Sequence, residues 1–351
     1  MSPAVRRPSA AVADTGRLLD AVGLALGAAL IVWISGAVNS VGGDGVPMAA
    51  LVAASFVVFV CSRRVARTQP ALVPLVVGVG GALLLLLPDL GHVVGTRAAG
   101  RPYGPLVYAN ATGALYLIVG LASSSIALGA RRSGTRVVAS LSALAFVAVA
   151  LASGSAAVPF LGGVALALVV ARVSSPGSPV GHLGAVVVAG AVATTVALGA
   201  AYSPTGSTGD GAEFGHVLLT ERRLSLWHES LQMVAAAPLW GVGPGRFAES
   251  SVTAQADRDV FTPHHGYLLV ASELGVVGGA LVLGLLAWGF AVLARSTRPR
   301  DAAVGVAALT VVGTHAAVDY VARSPVVVLA AVALVAAGAV RDRREDPVSR
   351  A

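Results

Sequence analysis

LLVASELGVVGGALVLGLLAWGFAVLA, residues 268–294, decides the fold. As an α-helix this run is ~40 Å long, enough to cross the ~30 Å hydrocarbon core of a bilayer. Its only ionisable side chain is Glu273. A stretch of that length and polarity reads as a membrane span. Working outward, similar runs precede it at Leu18–Val38, Val46–Cys61, Ala71–Leu87, Leu106–Ala130, Val137–Ser153, Ala156–Ala171 and His182–Tyr202, and follow it at Ala302–Val321 and Val326–Val340. The sequence therefore predicts an all-α integral membrane protein of about ten transmembrane helices. With 56% of the 351 residues hydrophobic and only 12% charged, an ordinary soluble domain is excluded.

Arginine placement orients the spans. The N-terminal tail carries Arg6, Arg7 and Arg17, and alternate connections carry Arg63, Arg64 and Arg67, then Arg131, Arg132 and Arg136, then Arg172, then Arg295, Arg298 and Arg300. The C-terminal tail adds Arg341, Arg343, Arg344 and Arg350. If spans alternate, all these segments lie on one side, which the positive-inside rule assigns to the cytoplasm together with both termini. Seven arginines remain outside: Arg97, Arg101, Arg222, Arg223, Arg246, Arg258 and Arg323. The net charge of +7 is thus mostly topological, and clusters of two or three flanking spans give no nucleic-acid stripe. The single cysteine, Cys61, permits neither an intramolecular disulfide nor a cysteine metal site.

Residues 1–351 read as one polytopic domain with one large excursion, Ser203–Pro263, on the outer face. It opens on a Gly/Ser/Pro-rich link, Ser203–Gly211. From Glu221 to Ala236, Leu224, Trp227, Leu231 and Val234 recur at helical spacing opposite Arg222, Ser225, Glu229 and Gln232, predicting an amphipathic helix that Pro238 ends. Gly241-Val-Gly-Pro-Gly245 predicts a tight turn; it fits no nucleotide fingerprint, and Pro244 removes a backbone donor.

Ionisable groups gather in and around this excursion. Arg223 shares a helix side with Trp227, where a guanidinium either snorkels from the interface or holds phosphate oxygens bidentately. His264, after Pro263 and before the apolar run, either makes a structural hydrogen bond or accepts a proton from a hydroxyl. Glu273 sits in apolar sequence and calls for a structural partner, either an outer arginine or a broken helix at Gly275. His315, Asp319 and Arg323 fall at four-residue steps, predicting one helix face that braces the site through a salt bridge rather than holding a metal. The outer carboxylates Asp210, Glu213, Glu221, Glu229, Glu249, Asp257 and Asp259 are scattered, without the paired acidic motif expected where a divalent cation bridges a diphosphate.

The motifs Arg223-Leu-Ser-Leu-Trp227, Pro238-Leu-Trp-Gly-Val-Gly-Pro-Gly-Arg-Phe247, His264-His-Gly-Tyr-Leu268 and Glu273-Leu-Gly-Val-Val-Gly278, in that order and spacing, resemble the O-antigen ligase and O-antigen polymerase family. Arg101-Pro-Tyr-Gly-Pro105 leading to Asn110, and Asp319 with Pro325, resemble its flanking features, so the likeness covers about two thirds of the chain. The resemblance implies an inverting glycosyltransferase that moves a glycan from a polyprenyl diphosphate carrier to a glycan, lipid or protein acceptor outside the cytoplasmic membrane, and the scattered carboxylates add the expectation that it needs no metal or other cofactor. The resemblance also implies catalytic roles for His264 and Arg223; alongside it we expect a substrate contact at Trp227 and support from Glu273, His315, Asp319 and Tyr267. There are two departures. His265 stands where the family usually has Asn, and Gly154-Ser-Ala-Ala157 lacks an arginine that the family often carries in a mid-chain span. A phosphate contact made by that arginine would fall to Arg97, Arg101 or Arg323.

Two rival readings differ in class. A transporter or flippase of lipid-linked oligosaccharide would place ionisable groups near mid-membrane and show repeat-related halves. An inactive relative would only scaffold polysaccharide assembly. Here the charges gather at one face.

Overall fold

The computed structural model describes residues 10–86, 106, 108–175, 179–202, 220–257 and 260–341. Among them every regular element is helical. Ten helices coincide with the ten apolar runs: α1 (Ala10–Val41), α2 (Val46–Thr68), α3 (Leu72–Leu86), α4 (Ala109–Gly129), α5 (Ser133–Ala152), α6 (Val158–Ser174), α7 (Val180–Ala201), α11 (Gly266–Ala294), α12 (Pro299–Ala316) and α13 (Pro325–Gly338). Between α7 and α11 lie α8 (Glu221–Ala236) and two short turns of helix, α9 (Phe247–Ser250) and α10 (Val252–Ala256). Six helices, α1, α2, α4, α5, α7 and α11, are long and apolar enough to cross a bilayer, and α3, α6 and α13 are shorter apolar helices. The protein is a multi-pass membrane protein.

At the centre stands α12, nearly every residue of which is buried. Its Ala, Gly and Thr content lets α4, α6, α7, α11 and α13 approach closely. At Gly305 an added Cβ would come within 3.3 Å of the Leu334 carbonyl oxygen. The lipid-facing skin is apolar in the opposite sense, with Leu141, Leu144, Phe160 and Leu166 exposed.

Loops of alternate parity gather at opposite ends. At one end, Asp44 N–H donates to the Pro244 carbonyl at 2.8 Å, and the Arg246 guanidinium to the Val41 carbonyl at 2.7 Å. At the other, Arg298 donates to the Ala66 carbonyl at 2.6 Å and Arg300 to the Leu128 carbonyl at 3.3 Å. Arg246 is thus a clamp on the end of α1.

Two features depart from the hydropathy reading. The first is a break inside α11, where Gly275 adopts φ 69°, ψ −174°. A break exposes backbone polar groups that lipid cannot satisfy. The Pro238–Gly245 turn satisfies them: Val242 and Gly243 N–H donate to the Ser272 and Glu273 carbonyls at 2.8 and 3.1 Å, and Val276 N–H donates to the Pro238 carbonyl at 2.8 Å. Trp33 Nε1 takes the Leu274 carbonyl at 2.9 Å and its ring stacks on Trp240 at 4.1 Å. The glycine-rich motif is therefore the lining of a broken helix.

The second concerns the ninth run, expected to stay helical to Val321. It ends at Ala316, because Ala317 and Val318 N–H fold back to the Thr314 and His315 carbonyls and the Asp319 carboxylate takes the Tyr320 N–H at 2.7 Å. Asp319 and Arg323 therefore do not share a helix face with His315; Arg323 lies exposed on the short 3-10 turn Val321–Arg323.

Candidate active site

Helix α8 has the predicted bounds, with Thr220 Oγ1 capping its first turn by accepting the Arg223 N–H at 3.3 Å. Its buried face is Leu226, Trp227, Ser230 and Met233, rotated from the predicted stripe because α7 and α11 both press on it. Leu224, Leu231 and Val234 are half-buried. On the far side Glu229 accepts hydrogen bonds from the Ser251 and Thr253 hydroxyls at 2.5 and 2.6 Å, tying down α10.

That helix pins the loop carrying His264. Trp227 is fully buried, donates from Nε1 to the Pro263 carbonyl at 2.9 Å, and meets the His265 ring edge-on at 5.3 Å. It offers no face to a ligand, so its expected substrate contact gives way to a positioning role. His265 caps α11: its Nδ1 accepts the Leu268 N–H at 3.1 Å, which leaves Nε2–H to donate to Thr195 Oγ1 at 2.8 Å. Burial pushes its imidazole down to about 3, so it stays neutral. Gly266 N–H donates to the Asp319 carbonyl at 3.0 Å.

Between these anchors His264 is the one described non-glycine residue with positive φ, 51°. A left-handed histidine costs ~1 kcal/mol, and the anchors on both sides supply it. The result aims His264 opposite to His265, with Nδ1 3.3 Å from Asp319 Oδ1 and the ring against Tyr320 at 5.2 Å. The His264 side chain is 25% exposed and that of Asp319 only 1%. With Nδ1–H donating to the carboxylate, Nε2 is the ring's basic nitrogen.

Asp319 is held on every side. Oδ2 accepts from the Tyr108 hydroxyl and the Asn110 amide, and Oδ1 accepts from the Tyr320 N–H. Burial alone would raise its carboxyl, but the His264 hydrogen bond, the neighbouring charges of His315 and His264 and the Tyr108 hydrogen bond hold it at about 2. It stays ionised through the neutral range.

Beside this pair is a cavity of about 160 Å³ lined by Asn110, Gly154, Ala156, Arg223, His315 and Asp319, among others. Arg223 donates to the Val318 carbonyl at 3.4 Å along its wall. His315 is fully buried and neither ring nitrogen has a hydrogen-bond partner among the described residues. Gly154, Ala156 and Ala157, from the mid-chain segment that carries no arginine, are also in its lining. Below the site a second, apolar cavity of about 310 Å³ lies between α1, α2, α11, α12 and α13, with Tyr267 and Ala316 in its lining.

Other predicted residues serve the frame. Glu273 is 1% exposed and accepts the Phe247 N–H at 3.3 Å, so it holds the turn that lines the break. Tyr267 donates to the Gly313 carbonyl at 2.9 Å, joining α11 to α12. Arg323 is not in the cavity lining. Arg97 and Arg101 lie outside the described residues. Tyr108, Tyr320 and Thr195 were not legible as site residues, although Tyr108 lies two residues before the flagged Asn110. Among the described residues, no group of three or more His, Cys, Asp or Glu side chains is placed to hold a metal ion.

Fold and site together define a membrane protein with a polar centre at one end of its helix bundle. Residues 105–283, just over half of the chain, match the family model described as O-Antigen ligase. The chain belongs to the O-antigen ligase family. Asp319 and His315 lie beyond the matched segment, and no curated protein matches the sequence.

Proposed function

We propose that this protein is an inverting glycosyltransferase that moves a glycan from a polyprenyl diphosphate carrier onto an acceptor hydroxyl at the outer face of the cytoplasmic membrane. The observation that carries this reading is the His264–Asp319 pair, whose carboxylate lines a cavity that Arg223 also lines. Membership of the family supports a lipid-linked glycan as donor.

In this mechanism Asp319 fixes the His264 ring and stabilises the imidazolium that forms. The acceptor oxygen attacks the anomeric carbon while its proton passes to His264 Nε2. The bond from that carbon to the diphosphate oxygen breaks, and its electron pair leaves on the diphosphate. Arg223 offsets the growing negative charge with a planar fork of N–H donors. One in-line displacement inverts the anomeric centre. The apolar cavity reaching Tyr267 and Ala316 suits the carrier's hydrocarbon.

Arginine rather than a metal neutralises the leaving group in this reading. Transfer at saturating donor is expected to survive EDTA and to fall at least tenfold in Arg223→Lys, which keeps the charge and loses the fork. Strong EDTA inhibition reversed by Mg²⁺ or Mn²⁺, with near-normal Arg223→Lys turnover, would show that metal holds the diphosphate.

All ten apolar helices cross the membrane in this account, with both termini cytoplasmic and the 203–263 excursion outside. A cysteine replacing Ser207 is then labelled by an impermeant thiol reagent in intact cells. Labelling only after lysis would reverse the orientation.

A further inference from the structure

At the end of the bundle opposite the candidate site, the connections predicted to be cytoplasmic enclose a cavity of about 680 Å³. Arg172, Arg298, Arg300 and Asp301 supply its polar wall, and Pro74, Ile126 and Val173 part of its apolar wall. Three guanidiniums against one carboxylate leave the cavity net positive. Carbonyl bonds hold two of them in place: Arg298 on the Ala66 and Arg67 carbonyls at 2.6 and 3.2 Å, and Arg300 on the Leu128 carbonyl at 3.3 Å. A guanidinium carries five N–H donors in a fork that matches a phosphate diester.

The cavity continues into two apolar grooves, one on each side of α5. A groove of about 790 Å³ between α4, α5 and α6 shares Val173 with it. Another, of about 510 Å³ between α3, α4 and α5, shares Ile126 and Thr135. Helix α5 rests chiefly on α4, so both grooves run along the bundle with no helix among the described residues closing them. A positive pocket at the membrane surface that opens into paired hydrocarbon grooves has the chemistry of a two-chain anionic lipid. We propose that this face binds one anionic diacyl phospholipid of the same leaflet, its phosphate at Arg172, Arg298 and Arg300 and its chains flanking α5. The site is separate from the transfer reaction and does not depend on it.

The test titrates the purified full-length protein in detergent with dioleoyl phosphatidylglycerol or dioleoyl phosphatidylcholine and counts bound lipid by native mass spectrometry. Each arginine near an anionic headgroup contributes roughly fivefold in affinity, so Arg172→Gln with Arg300→Gln is expected to weaken phosphatidylglycerol binding roughly 25-fold and to cut its preference over phosphatidylcholine by the same factor. A Cβ at Gly163 meets nothing within 4 Å, so Gly163→Leu projects into the α4–α6 groove and is expected to weaken binding of both lipids without disturbing packing. Equal binding of the two lipids by the unmodified protein would overturn the proposal. So would an unchanged preference in the double variant, full displacement by glycerol phosphate together with an inert Gly163→Leu, or a lipid-free dimer whose interface covers α5.

Discussion

His264→Ala is expected to lower turnover by about two to four orders of magnitude, the usual contribution of a positioned general base, while membrane level and folding stay normal. Its side chain is 25% exposed and meets Tyr320 and Asp319, so little of the fold rests on it, and alanine keeps the adjoining backbone anchors. Asp319→Asn should lose a comparable factor, because an amide can no longer stabilise an imidazolium. It should also unsettle the Tyr108 and Asn110 contacts. His265→Asn is the contrasting change. Asparagine caps a helix well and gives up the Thr195 bond and the edge-on contact with Trp227, neither of which touches the reacting groups, so near-normal activity is expected. Turnover of each variant, measured on protein of matched thermal stability, checks the set. Full activity in His264→Ala, or equal loss in His264→Ala and His265→Asn, removes His264 from the chemistry.

The largest effect on folding is expected at Gly275. Its φ of 69° with ψ of −174° is a conformation essentially confined to glycine, and a Cβ there would lie 2.1 Å from the Leu239 carbonyl oxygen. Backbone is on both sides of the clash, so no side-chain rotation relieves it. Gly275→Ala should destabilise by about 4 kcal/mol or more, through strain plus loss of the hydrogen bonds that Val242, Gly243 and Val276 make across the break. Gly279→Ala in the same helix is the control, since its Cβ would meet the Ala271 Cβ at an ordinary 3.5 Å. Thermal unfolding in detergent should separate the two sharply; equal midpoints would mean that the break is dispensable.

What the sequence made legible follows from physics that acts locally. Hydrocarbon thickness sets helix length whatever the neighbours do, and each of the ten apolar runs is a helix. Pro238 and the amphipathic period likewise delimit α8. Long-range geometry was hidden. The Gly275 break is invisible to hydropathy, since glycine is common in spans; a carboxylate in apolar sequence at Glu273 raises it as one alternative, and only the turn 30 residues upstream reveals why it is tolerated. His264 and Asp319 are 55 positions apart, and no period relates them. The four-residue spacing of His315, Asp319 and Arg323 even misled, because the Asp319 carboxylate competes with the helix that would have aligned them. Trp227, expected to touch substrate, is instead buried beneath the His264 loop, a placement that helix period alone does not show.

The most direct measurement of the central claim is release of the carrier. The purified protein, reconstituted in liposomes with a polyprenyl diphosphate oligosaccharide and a hydroxyl acceptor in the presence of EDTA, is assayed for free polyprenyl diphosphate. The account predicts release in step with glycan transfer, and its loss in His264→Ala. Carrier that crosses the bilayer with its glycan still attached, or release that continues unchanged without His264, would contradict it.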